Sequence, residues 1–209
     1  MKTQNYLKDI SDIKNMMSRS SRFISLSGLS GILAGIYALI GALAAYFQLQ
    51  KFDELSYIEN QYTSDDTYTS LYCNLIGIAL IVLFTALVTG FILTLRKAKK
   101  QNEKIWNPVS KRLLANFGIP LIAGGIFCAV LLQYGVAGLV APATLVFYGL
   151  ALVNASKFTI GDIKYLGLAN ILIGLIATQF TGYGLYFWSL GFGVLHIIYG
   201  AILYNKYDG

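Results

Sequence analysis

Few residues in this chain have side chains suited to catalysis or metal binding. It holds one histidine, His196, and two cysteines, Cys73 and Cys128. A structural zinc takes about four Cys or His-type ligands, and membrane oxygenases and lipid hydrolases use clusters of His, Asp or Glu. One histidine cannot supply either, and no Ser/His/Asp arrangement is readable. No catalytic residues, metal or cofactor are therefore expected. His196 lies within the apolar run YGLYFWSLGFGVLHIIYGAILY, and an ionisable group in such a setting is a functional candidate. A neutral imidazole bonded to a Ser, an Asn or a backbone carbonyl explains it equally well. Asn74, Gln133, Asn170 and Gln179 are expected to bond between helices rather than to bind ligands. The two thiols should sit near the same membrane leaflet. A disulfide is one option, and two buried thiols are the plainer one.

Two prolines add to the chemistry. Within helices, Pro120 would free the carbonyl of Asn116, and Pro142 that of Gly138. Kinks in neighbouring helices can open a cavity whose carbonyls take a cation or a polar ligand. The candidate polar pocket is thus His196, Asn116, Pro120, Gly138 and Pro142. Kinks that serve packing alone are the simpler alternative.

These residues must be positioned by helices in lipid. The 209 residues are 56% hydrophobic and 12% charged, with a mean hydropathy of +0.60. Soluble domains carry about 25% charged residues. Six apolar runs approach the roughly 20 residues that cross a bilayer: 23–47, 71–95, 113–133, 136–154, 165–180 and 183–204. None has Asp, Glu, Lys or Arg in its interior, where each would cost about 2.5–3.5 kcal/mol. The expected fold is all-α: a six-span transmembrane bundle over 23–204, with an amphipathic arm at 1–22 and a tail at 205–209. In the arm Tyr6, Leu7, Ile10, Ile13 and Met17 share one side, as suits a surface-lying helix or one that docks a soluble partner. Ala42-Leu43-Ala44 has the form of a signal-peptidase site. The apolar run before it far exceeds the usual length of about 7–15 residues, so the segment is expected to be retained.

Charge sets the orientation. With both termini cytoplasmic, every one of the 16 Lys and Arg except Lys51 falls on the inner side, as the positive-inside rule requires. The inner surface is dominated by Arg96, Lys97, Lys99, Lys100, Lys104, Lys111 and Arg112. Topology alone accounts for them. A phosphate- or partner-binding patch is the sharper reading, and nucleic acid is not expected. Asn107-Pro108 predicts a capped helix start. The acidic outer loop 53–66 lacks the alternation of a calcium site and reads as solvated.

The run SGLSGILAGIYALIGALAAYF places Gly28, Gly31, Gly35, Ala38, Ala42 and Ala45 at steps of 3 and 4, on one helix face. Small residues let backbones approach where lipid offers no hydrophobic drive to associate. The stripe is therefore a packing face, either within the monomer or toward a second copy or another membrane protein. A weak echo relates Gly124, Tyr148-Gly149 and Asn154 to Gly174, Tyr199-Gly200 and Asn205, as a duplicated hairpin would.

The stretch SSRFISLSGLSG, Ser20–Gly31, resembles the start of helix 1 in small six-helix bacterial membrane proteins of uncharacterised function. The resemblance implies a bacterial inner (cytoplasmic) membrane location and carries across no activity or site residue. The expected function is a non-catalytic sensor, regulator or accessory subunit acting through helix packing. A small-solute transporter or channel built on the polar pocket is the alternative, and a membrane-embedded enzyme is the least supported. Reporter fusions should place residue 101 in the cytosol and Tyr134 outside; the reverse result would invalidate the orientation.

Overall fold

The computed structural model describes residues 27–58, 65–101 and 105–207, with backbone only for 54–58 and 65–67. The expected arm, the beginning of the first run, Lys104 and residues 208–209 lie outside the described residues. Among the described residues there are six helices: α1 Gly28–Ile58, α2 Asp65–Lys100, α3 Pro108–Gln133, α4 Val140–Ala155, α5 Ile163–Ala177 and α6. The last runs through Gly184–Trp188, a π-helical segment Ser189–Val194, and Leu195–Tyr207. Among the described residues there is no strand.

Five of these stretches are long and apolar enough to cross a membrane: Gly28–Asp53, Tyr68–Lys100, Pro108–Gln133, Ala137–Ala155 and Thr181–Tyr207. Helix α5 has 15 residues and spans only about 22 Å at 1.5 Å per residue. The outer surface is apolar, with Phe84 67% and Ile119 68% exposed. Large apolar side chains facing outward around a bundle suit hydrocarbon rather than water.

Local sequence sets the helix ends. Asn107 accepts a hydrogen bond from the Ser110 N–H at 2.8 Å while Ser110 Oγ takes the Asn107 N–H at 3.0 Å, and Pro108 starts α3 as the Asn-Pro pair predicts. At its far end Gly135, with φ +71°, lets Val136 N–H reach the Leu131 carbonyl and Gly135 N–H that of Leu132. Only glycine adopts this conformation freely, so α3 stops and reverses here.

Backbone approach governs the packing. α1 lies antiparallel against α6: a Cβ on Gly35 would stand 2.6 Å from the Gly193 carbonyl, and one on Gly200 would stand 2.5 Å from Ile32 N. Gly149 and Gly167 play the same part between α4 and α5, each facing the other's carbonyl. α3 packs on α4, and α2 packs substantially only on α1, through Gly41 against Val82, Tyr37 against Thr89 and Phe52 against Tyr68.

Because neighbours in sequence run in opposite senses, one end of the bundle gathers the start of α1, the end of α2, the start of α3, the α4–α5 loop and the end of α6. That basic end carries Arg96, Lys97, Lys99 and Lys100 from α2 and Lys111 and Arg112 from α3. Lys157, Lys164 and Lys206 join them, and Asp162 is the only acidic residue described there.

The seam and the open glycines respond oppositely to a methyl group. Gly35→Ala and Gly200→Ala should each lose about 1–3 kcal/mol to overpacking. Gly118 has nothing within 4 Å, so Gly118→Ala should be neutral or gain about 0.5–1 kcal/mol. Unfolding in detergent checks this, and equal losses at all three sites would contradict the seam.

Candidate functional site

The π segment of α6 holds Gly191 and Gly193. Its widened turn leaves the Gly191 carbonyl beside the His196 ring, 2.9 Å from Nδ1. A carbonyl can only accept, so Nδ1 carries the proton, and in the neutral ring Nε2 accepts from the Tyr148 hydroxyl at 2.7 Å. His196 is 6% exposed. Phe192 stacks on the imidazole with centroids 5.9 Å apart, and Tyr148 lies 5.3 Å away. Phe117 and Trp188 extend this aromatic cluster onto α3 and along α6. Both ring nitrogens are occupied, so the histidine acts as a joint between α4 and α6.

Beside this joint opens a cavity of about 520 Å³. It is lined by α1 from Ser27 to Ala38, α2 from Ala79 to Gly90, α3 from Phe117 to Cys128 and α6 from Trp188 to Leu203, with further residues from α4 and α5. Its lining is almost wholly apolar. Ala79, Ala86 and Gly90 on α2 and Gly124 and Gly125 on α3 are among its lining residues; Gly124 packs on Phe147 of α4, and among the described residues Gly90 and Gly125 have nothing within 4 Å. Since α2 and α3 make no substantial contact, the cavity is a cleft open sideways between them.

At the basic end Lys206 Nζ donates to Asp162 Oδ2 at 2.6 Å and the Tyr207 hydroxyl does so at 3.2 Å. The Tyr199 hydroxyl donates to the Asp162 backbone carbonyl. This knot ties the α4–α5 loop to α6, above a core of Leu152, Ile160, Ile163, Leu166 and Leu203. The Lys206 hydrogen bond holds the Asp162 carboxyl below the usual carboxylate range, against an opposing effect of burial.

The predicted residues separate. Of the five in the polar pocket only His196 reaches the cleft. The carbonyl that Pro120 frees, that of Asn116, accepts from Asn154 Nδ2 at 3.3 Å. Pro142 lies in the first turn of α4, where no helical hydrogen bond is lost, so the expected mid-helix kink is absent. Gly138 sits in the turn Ala137–Leu139 against Thr181, at the opposite end. The pocket fails because one proline spends its carbonyl on a neighbouring helix and the other marks a helix start.

Within the packing face Gly28, Gly35, Ala38, Ala42 and Ala45 are buried and Gly31 is half-buried, with the glycines turned to α6 of the same chain. Cys73 and Cys128 are free thiols, the first exposed and the second buried. Asn170 is fully buried and bonds within its own helix to the Leu166 carbonyl. Its Oδ1 has no hydrogen-bond partner among the described residues, and a Cβ on Gly191 would lie 2.7 Å from it. Sequence reasoning noticed Tyr148 and Tyr199 only as repeated Tyr-Gly pairs and missed Asp162. The adjacent glycines were the available signal, because they bring each tyrosine's helix close to its neighbour.

Comparison of the chain with protein-family models, curated proteins and solved structures gives no match. What the arrangement offers is a membrane-facing receptacle and a fixed imidazole.

Two outcomes follow. Tyr148→Phe leaves His196 Nε2 without its donor and should cost about 1–3 kcal/mol. With one histidine in the chain, nitrogen NMR should show the Nδ1–H tautomer directly. A depressed carboxyl pKa stabilises the fold above the ordinary carboxylate value, and that contribution disappears as pH falls through the lowered one. Thermal unfolding against pH should therefore show an acid loss that Asp162→Asn flattens.

Proposed function

We propose that the chain is a non-catalytic accessory or regulatory component of a bacterial inner membrane, which receives a membrane-resident guest in the cleft between α2 and α3. In this reading all six helices cross, both ends of the helical region lie on the cytoplasmic side, and the basic end faces the cytosol. The charge split supports the orientation, since only Lys51 falls on the other side. The short α5 crosses with the help of the turns at its ends, its direction being set by antiparallel packing on α4.

One observation carries the reading: among the described residues α2 packs substantially only on α1 and turns small residues toward the cleft. A helix devoted to sealing the bundle would use those residues against a neighbour, as α1 does against α6. The transporter alternative has less support. Its carbonyls are dispersed, and the cleft has almost no polar lining for a hydrophilic solute. An enzymatic reading would need a free acid–base group, and both nitrogens of His196 are engaged.

Photo-crosslinking residues in native membranes test the reading. At Leu83 or Leu87, which line the cleft, adducts to a lipid or protein should be several-fold more abundant than at the outward-facing Phe84 or Phe91. Equal yields on both faces of α2 would refute it.

A further inference from the structure

Residues 101–107 alone separate α2 from α3. So short a link ordinarily joins antiparallel helices that pack on each other. Among the described residues this pair makes no substantial contact, and the cleft stands open between them.

Burial along α2 has a matching pattern. Leu71 and Ala98 are buried, and none of the residues 72–97 is. The helix is pinned near both ends, about 40 Å apart at 1.5 Å per residue, and bare along its middle. Thr85 stands at the midpoint and is exposed. Its hydroxyl donates back along the helix, to the Ile81 carbonyl at 2.8 Å and that of Val82 at 3.0 Å. Such back-bonding to the i−4 carbonyl favours a bend. α2 is thus a beam held at its ends with a place to flex at its centre.

The face that would move is shaped for its target. Ala79, Leu83, Ala86 and Gly90 recur at steps of three and four on the side of α2 that lines the cleft. Leu121 and Gly125 line it from α3. The contacts Gly124–Phe147, Tyr148–His196, Gly31–His196 and Tyr37–Thr89 carry the height of Gly125 across the bundle to within about one turn of Gly90. Small residues on both helices let main chains approach. An empty apolar cleft leaves its lining short of partner atoms, and contact between the two helices restores them.

Resting on the function proposed above, we infer that α2 is a lateral gate for the cleft. It flexes about Thr85 and lays Ala86 and Gly90 against Leu121 and Gly125 of α3 when no guest is present. A guest that touches both helices only while they are apart biases the gate toward the open form described here.

Disulfide trapping tests the gate in the full chain, with Cys73 and Cys128 replaced by alanine. Gly90→Cys and Gly125→Cys are introduced together, each into open space. A disulfide needs Cα atoms about 4.4–6.8 Å apart, which the closed form supplies. After reconstitution alone in phosphatidylcholine vesicles, mild oxidation should link this pair several times faster than Phe91→Cys with Gly125→Cys, since Phe91 faces outward. Thr85→Val keeps the side-chain shape without the back-bond and should slow the linkage several-fold without lowering the melting temperature. No linkage while both thiols react with maleimide, equal linkage of the control pair, or an unchanged rate in Thr85→Val overturns the inference. Crosslinks favouring Leu83 and Leu87 with no linkage bring down the gate and leave the receptive cleft. Linkage together with crosslinks equal on both faces of α2 leaves the gate and brings down the guest.

Discussion

In hydrocarbon an apolar side chain gains nothing by leaving lipid for protein, so helices adhere through close contact of their backbones. The α1–α6 seam shows this constraint at its strongest. Gly28 meets Gly200 and Gly35 meets Gly193 at distances where even a methyl group collides with main chain, and Gly31 lies nearly as close to Gly200. The same device joins α4 to α5 through Gly149 and Gly167. α6 is thereby fixed between α1 and α4, and the remaining helices attach to this fixed group. α3 rests on α4 and α2 rests on α1. The cleft is the space left between these two outlying helices.

The π segment belongs to the same scheme. Gly191 and Gly193 permit α6 to approach Leu145 and Asn170 on one side and Leu39 on the other. The widened turn then offers the Gly191 carbonyl to His196. A side chain that would be costly in lipid is thus paired on both nitrogens inside protein. Asn170 Oδ1 beside Gly191, without a hydrogen-bond partner among the described residues, marks where this accommodation is incomplete.

Much of the fold was legible because its signals are local. Uncharged runs gave the helices, Asn107-Pro108 gave a cap, and the 3,4-spaced small residues gave the face of α1 that is buried. What failed depended on distance or register. Pro142 was placed within a helix, but the α3–α4 turn is followed by Ala137–Leu139, and this puts the proline in a first turn. The Asn116 carbonyl was expected to be available, but Asn154, 38 residues away, takes it. Nothing near Asp162 announces Lys206, Tyr207 and Tyr199, which come from another helix. The cleft escaped notice for a related reason. Gly90 and Gly125 look in sequence like contact residues, and only the three-dimensional arrangement reveals that none of the described residues meets them.

Helix lengths have a further consequence. The 36 residues of α2 extend about 54 Å and the 15 of α5 about 22 Å, against a hydrocarbon slab of about 30 Å. The uncharged stretch 71–95 accounts for about 38 Å of α2, and its polar ends carry the rest beyond the slab. A stretch longer than the slab is accommodated by tilt or by local thickening of the lipid, so the lean of α2 answers to lipid chain length.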